Sequence, residues 1–190
     1  MKAASSQSSA MQPAATYDWA GMERSLDTHG NAILPGLLTA KQCDVLASRY
    51  ARDGGYRARI VMARHGFGRG EYQYFSYPLP PLILEYGEGD SNCLHQDLYG
   101  EHVFPLQVAI LLSEPDRDFA GGEFVMTELS TKGQRADVVA LRQGDAVVFA
   151  VNQRPAVGLR GVRRVAMRHG LSRIRSGKRH TVGLIFHDAK

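Results

Sequence analysis

Six short runs rich in β-branched and aliphatic residues crowd the C-terminal half of the chain: LILEY at 82–86, LQVAILL at 106–112, GEFVM at 122–126, DVVALR at 137–142, DAVVFAV at 145–151 and HTVGLIF at 180–186. Runs this short suit strands, and the turns between them, such as Ala120-Gly121-Gly122 and Gln143-Gly144-Asp145, punctuate a sheet. Strands of this length with Gly-rich turns predict a sandwich or jelly roll. The chain has 190 residues, 44% of them hydrophobic, which is material for one domain with its own core.

The N-terminal part follows a different period. Residues 1–15, MKAASSQSSAMQPAA, are small and polar with no periodicity, and are expected to form a disordered tail ahead of a single domain at 16–190. Trp19, Met22 and Leu26 recur at helical spacing between Tyr17 and His29, with Gly30 as the stop. After the apolar run AILPGLL, Thr39 and Gln42 form a T-x-x-Q capping box, and Cys43, Leu46 and Tyr50 continue one face as far as Asp53-Gly54-Gly55. The expectation is two helices within 17–53, then a β core over about 82–187, with no internal repeat.

Two cysteines, Cys43 and Cys93, are too few for a disulfide framework, and their separation fits no zinc motif. A reducing cytoplasm is the expected location. No run approaches the roughly 18 apolar residues of a membrane span, and no apolar segment follows the N-terminal lysine as in a signal peptide.

The chemistry concentrates at LHQDLYG. His95 and Asp97 are two residues apart, and on an extended chain such side chains project to one side. An imidazole and a carboxylate, completed by a second histidine, make the facial triad that leaves open positions on Fe(II). The candidates for the third place are His29, His65, His102, His169, His180 and His187. His29 sits at a helix end, His102 in a polar stretch and His187 next to the terminus. His169 ends the run RVAMRH before a glycine and a basic segment that opens the last strand, so it is placed to return to the metal. On that last strand Arg179 and Thr181 share a face. A guanidinium forks onto a carboxylate and the neighbouring hydroxyl donates again, which makes a dicarboxylate anchor.

The order Y-G-x-G-D, H-x-D, G-G-E-F, G-D-A-V-V-F, H and R-x-T resembles the 2-oxoglutarate/Fe(II) dioxygenase superfamily, with its double-stranded β-helix (jelly roll, cupin-like), over roughly 82–187. The segments YRARIVMARHGFGRGEYQYFSYPLPP, NCLHQDLYGEHVFPLQVAILLSEP and SGKRHTVGLIFHDA are similar to a bacterial family of nucleic-acid oxygenases acting on alkylated bases, which extends the resemblance to about 17–190. The resemblance implies Fe(II) on His95, Asp97 and His169, the far carboxylate of 2-oxoglutarate on Arg179 and Thr181 with help from Tyr86, and O2 as oxidant. It also implies hydroxylation of a substrate C–H, which on an N-methyl group releases formaldehyde. One departure is the direct passage of Pro80-Pro81 into LILEYG, where the family carries a largely helical segment; the resemblance then implies the loss of a substrate-covering element.

Formal charge is only +4, yet its distribution is uneven. From Arg154 to His180 the chain holds Arg154, Arg160, Arg163, Arg164, Arg168, Arg173, Arg175, Lys178 and Arg179 and no acid. A second acid-free stretch carries Arg57, Arg59, Arg64 and Arg69 with Tyr56 and Phe67, followed by Tyr72, Tyr74 and Phe75. Arginines among aromatics suit phosphate contact and base stacking. Arg57, Arg59, Arg64, Phe67, Arg69, Tyr74, Arg164 and Arg168 are therefore the expected nucleic-acid contacts, with Phe67 or Tyr74 as a stacking wedge. Two other readings stand beside this one: an oxygenase of the same superfamily acting on a protein side chain or a small acidic metabolite, and a noncatalytic nucleic-acid-binding module.

Overall fold

A computed structural model describes residues 14–52, 54–76, 81–98, 101, 103–130, 133–158 and 161–186. Most of the expected tail, residues 1–13, lies outside the described residues; Ala14–Thr16 form one 3-10 turn.

Both helices start where the sequence places their caps. In α1 (Trp19–His29) the Asp18 carboxylate accepts the Gly21 N–H at 2.9 Å, and Gly30, at φ 77°, closes the other end by donating to the Leu26 carbonyl. A residue with a β-carbon would be strained at that angle. Helix α2 (Ala40–Arg49) opens on the Thr39–Gln42 capping box. It ends at Arg49, before the expected Asp53-Gly54-Gly55 stop, because the Tyr50 and Arg52 N–H groups donate only three residues back, to the carbonyls of Ala47 and Arg49, which tightens the last turn ahead of the positive-φ Gly54 and Gly55.

The strands are β1 (Asn31–Leu34), β2 (Tyr56–Val61), β3 (Gly68–Arg69), β4 (Glu71–Phe75), β5 (Pro81–Tyr86), β6 (Ser91–His95), β7 (Leu106–Leu111), β8 (Phe119–Gly121), β9 (Phe124–Ser130), β10 (Gly133–Val139), β11 (Ala146–Ala150), β12 (Gln153–Gly158), β13 (Gly161–Leu171), β14 (Ile174–Gly177) and β15 (Arg179–Leu184). They form a large sheet in the order β1-β11-β7-β15-β5-β4-β2 and a smaller one in the order β10-β9-β13-β6-β3, with β12 added on β13; β8 and β14 make a two-stranded ribbon. Every pairing between these strands is antiparallel. The mainly β jelly-roll expectation is met.

One face of the large sheet is closed by α2. Cys43 and Tyr50 pack with Ile83, Ile110, Val182 and Ala146. Burial, with Asp44 nearby, pushes the Cys43 thiol up to about 11, so it behaves as a small apolar side chain. Between the sheets, Phe124, Met126, Phe149 and Met167 form one core cluster and Met62, Tyr86, Phe119, Leu171 and Ile174 another. The described part of the β4–β5 connection is Ser76, with 77–80 outside the described residues; Pro81 passes directly into LILEY as the first residue of β5, with no helix between Pro81 and Tyr86. No helix among the described residues is long and apolar enough to cross a membrane.

Candidate metal centre and co-substrate pocket

His95 is the last residue of β6, and His169 lies directly opposite it on β13. The two imidazoles therefore meet across a strand pair, with ring centroids 4.3 Å apart. Asp97 follows β6 by two residues and turns back between them: its Oδ1 is 3.3 Å from Nε2 of His95 and its Oδ2 3.4 Å from Nε2 of His169. One donor atom from each side chain falls within 4.8 Å of the others, the spacing of ligands on one face of an ion.

The segment is fixed by its neighbours. Gln96 points away from the site and donates to the carbonyls of Met167 at 2.7 Å and Asn152 at 3.1 Å, tying the H-x-D turn to β13. Nδ1 of His95 lies 2.6 Å from the Cys93 carbonyl, so the tautomer that donates there leaves Nε2 as the ligating atom. His169 is held between Phe149 and Phe124, at centroid distances of 4.6 and 6.0 Å, and its Nδ1 is buried without a partner.

The register of β6 changes between Asn92 and His95, a bulge that lets both line the same pocket. Gly170 permits it, since a β-carbon there would sit 2.8 Å from the Asn92 carbonyl oxygen. Burial opposes the charge on Asp97, but the two histidines outweigh it and hold the carboxyl well below its usual range. Burial also opposes the His95 cation, yet Asp97 and the Cys93 carbonyl raise its pKa, whereas burial dominates at His169 and lowers its pKa despite Asp97.

The same pocket contains Arg179, Thr181 and Tyr86. Arg179 opens β15 opposite Tyr86 on β5 and is only 3% exposed. Its Nη1 donates to Oγ1 of Thr181, its guanidinium lies 5.7 Å from the Phe119 ring centre, and its Nε has no partner. No carboxylate among the described residues forms an ion pair with it. Burial pushes its pKa down to about 10. Tyr86, also buried, has its phenol pKa raised by burial, with Arg179 and Asn92 only partly offsetting that. A buried cation lacking a counter-ion costs several kcal/mol, which an anionic ligand in this pocket would offset.

The expected nucleic-acid contacts separate. Phe67 and Tyr74 line the pocket, and Arg57 stacks over the Tyr74 ring at 5.0 Å. Arg59 is bound to Glu71. Arg64 and Arg69 are exposed, on the 3-10 turn Met62–His65 and on β3. Arg164 and Arg168 are exposed on β13, and strand alternation puts them on the opposite face from Val165, Met167 and His169. The basic run that contains them is partly structural: Arg154 is buried against Glu128 and the Asp27 carbonyl, Arg175 pairs with Glu123 and Lys178 with Glu85. Sequence reasoning overlooked Asn92, Phe124 and Phe149 as pocket residues. For Asn92 the misleading signal was strand parity, which the bulge reverses.

Solved structures share this architecture. A prolyl-4-hydroxylase of Pseudomonas putida aligns with TM-score 0.61 at 16% identity, covering 90% of this chain and 99% of that one. A 2-oxoglutarate/Fe(II) oxygenase family oxidoreductase of Burkholderia pseudomallei aligns with TM-score 0.60 at 15% identity, covering 87% and 89%. These establish the fold as the double-stranded β-helix. In sequence, an uncharacterised protein of Mycobacterium tuberculosis is 53% identical over 109 residues, 57% of this chain and 47% of the relative, so the match takes in about half of each. A profile described as "Oxygenase, catalysing oxidative methylation of damaged DNA" matches residues 81–189, the stretch that contains the histidine–aspartate face and the buried arginine; the chain belongs to that nucleic-acid oxygenase family.

Proposed function

We propose that this protein is an Fe(II)- and 2-oxoglutarate-dependent dioxygenase that oxidises an alkylated base in nucleic acid, with residues 16–190 as its single catalytic unit. The observation that carries the reading is the pairing, in one pocket, of a two-histidine, one-carboxylate face with a buried arginine that has no counter-ion. The donor set suits iron: two imidazoles and a carboxylate occupy one face and leave the rest to other ligands. The anchor suits a dicarboxylate, since Arg179 retains an unused donor and sits beside a hydroxyl and a phenol.

In this assignment His95, Asp97 and His169 hold the metal, and Gln96, the Cys93 carbonyl, Phe124 and Phe149 keep them aimed. Arg179, Thr181 and Tyr86 bind the far carboxylate of the co-substrate and so fix its reacting end. When bound, iron and 2-oxoglutarate supply an oxidant from O2, with succinate and carbon dioxide as co-products and one oxygen atom ending on the substrate C–H. A hydroxylated N-methyl group then breaks its C–N bond to give formaldehyde and the bare base nitrogen. The walls from Leu82, Leu84, Phe67 and Tyr72 are apolar and aromatic, which limits water in the pocket and suits an unsaturated ring. The family match and the aromatic wall support a base as substrate; the arginine stacked on Tyr74 supports an anionic carrier for that base.

The deciding experiment is an anaerobic titration of the apoprotein with Fe(II) and 2-oxoglutarate, following the visible charge-transfer band of the chelate, with His169→Ala alongside. Formaldehyde release from N-methylated oligonucleotides completes it. A band that the variant loses, followed by formaldehyde, is the expected result; the absence of any band would refute the metal and co-substrate assignment.

A further inference from the structure

Edge strand β2 borders a second, shallower groove whose lining includes Arg52, Tyr56, Arg57, Arg59, Glu85 and Lys178. Its carboxylate is already engaged: Glu85 meets His180 at 2.9 Å and Lys178 at 3.5 Å. The neighbouring Glu71 is bound to Arg59. Arg52 and Arg57 are the cations left over, with no ion pair to a carboxylate among the described residues. Among the described residues, the groove thus holds two guanidinium groups that no carboxylate neutralises.

Arg57 connects this groove to the active pocket. The pairing of β2 with β4 runs Tyr56 to Phe75 and then Ala58 to Tyr74, so Arg57 is the extra residue of a bulge. Such a bulge re-aims its side chain, and here the guanidinium comes to lie over Tyr74, whose ring also lines the active pocket beside Tyr72. Groove and pocket are thus joined through one contact, between the guanidinium of Arg57 in the groove lining and the ring of Tyr74 in the pocket wall. A cation on an aromatic ring at the junction of a basic groove and an apolar pocket is the combination that holds a phosphate while a base stacks beside it. Gln73 and Glu85 of the groove and Tyr72, Tyr74, Leu84 and Tyr86 of the pocket stand on opposite faces of the sheet, so a strand seated in the groove reaches the pocket around edge strand β2, where Arg57 stands.

Resting on the nucleic-acid reading above, we propose that the β2 groove is the track for the phosphodiester backbone of a single-stranded nucleic acid, and that Arg57 is the positioning residue where the strand turns its base past Tyr74 into the pocket. Arg164 and Arg168, on the other face of β13, take no part in it.

The test is binding of a fluorescein-labelled oligothymidylate, followed by anisotropy across a range of salt, to protein loaded with Mn(II) and 2-oxoglutarate. Arg52→Gln and Arg57→Gln should each weaken binding roughly three-fold or more and lower the slope of log affinity against log salt by about 0.7, one phosphate contact apiece. Arg57→Lys should restore the slope, while Arg164→Gln and Arg168→Gln should bind as the wild type does. An unchanged 2-oxoglutarate-induced thermal shift checks that each variant is folded. If the wild type binds but Arg52→Gln and Arg57→Gln bind equally well, the track is wrong and the nucleic-acid reading stands. If the wild type binds no oligonucleotide but binds an acidic peptide, the nucleic-acid reading fails and the track fails with it.

Discussion

Replacing Arg179 by Met separates binding from stability in opposite directions. A guanidinium whose pKa falls from 12.5 to about 10 has its charged form disfavoured in the folded protein by roughly 3 kcal/mol. Because this cation's pKa is depressed on folding, the cost applies in full at every pH below about 10, and so at neutral pH. Met fills a similar volume without charge. It forfeits the hydrogen bond to Thr181, worth about 1 kcal/mol. The balance is a gain of about 2 kcal/mol for the ligand-free protein, or a melting temperature higher by roughly 4–8 °C for a domain of this size. The ligand response should vanish, since a bidentate charged contact is lost. At a hundred times its dissociation constant a ligand stabilises a protein by about 2.7 kcal/mol, and the wild type with Mn(II) should show a shift of that order on adding 2-oxoglutarate. Differential scanning fluorimetry with Mn(II), with and without 2-oxoglutarate, reads both effects. A variant that melts below the ligand-free wild type, or that still responds to 2-oxoglutarate, would refute the view that Arg179 is an unpaid cation awaiting a dicarboxylate.

Arg154→Ala should destabilise by about 1.5–3 kcal/mol, because it removes charged hydrogen bonds to Glu128 and to the Asp27 carbonyl and leaves Glu128 only its longer contact with Arg135; urea unfolding measures this, and a loss under 1 kcal/mol would mean that the pair is not structural. Gln96→Ala should weaken Mn(II) binding about 10- to 100-fold by freeing the H-x-D turn from Met167 and Asn152, with calorimetric titration as the measurement and an unchanged affinity as the contrary result. Metal affinity should also rise with pH through neutrality. His95, whose pKa is raised, is the ligand that must shed a proton, while His169 and Asp97 are already in their ligating states; a flat affinity on both sides of neutral pH would contradict this.

Legibility in the sequence followed burial. The six runs read as strands all reappear, within a few residues, as β5, β7, β9, β10, β11 and β15; five of them bury an apolar set that leaves a continuous signature, whereas β10 is exposed except at Val139 and was readable from its β-branched residues. The two helices were readable from their caps, which act through local hydrogen bonds. What escaped were strands whose alternation is interrupted by polar side chains. In β13, Val165, Met167, His169 and Leu171 face inward, but arginines fill the other face and a histidine stands among the inward residues, so an eleven-residue strand read as a basic run. That interruption is the site itself, since a metal-binding side chain must stand where packing alone would place an apolar one.

The candidate site divides in the same way. His95, Asp97, His169, Arg179 and Thr181 could be named because their chemistry is carried by residue type and short-range spacing, and the fold brings all five into one pocket. The basic residues could not be sorted, because charge along the chain does not say which arginine finds a carboxylate. Arg154 and Arg59 meet glutamates supplied by other strands, β9 and β4, whereas Arg57 meets a tyrosine ring instead. An arginine whose partner is aromatic keeps its full charge available, and one whose partner is a carboxylate does not. The arginines that remain available for an anionic substrate are therefore set by the pairing of strands, at a level that composition does not reach.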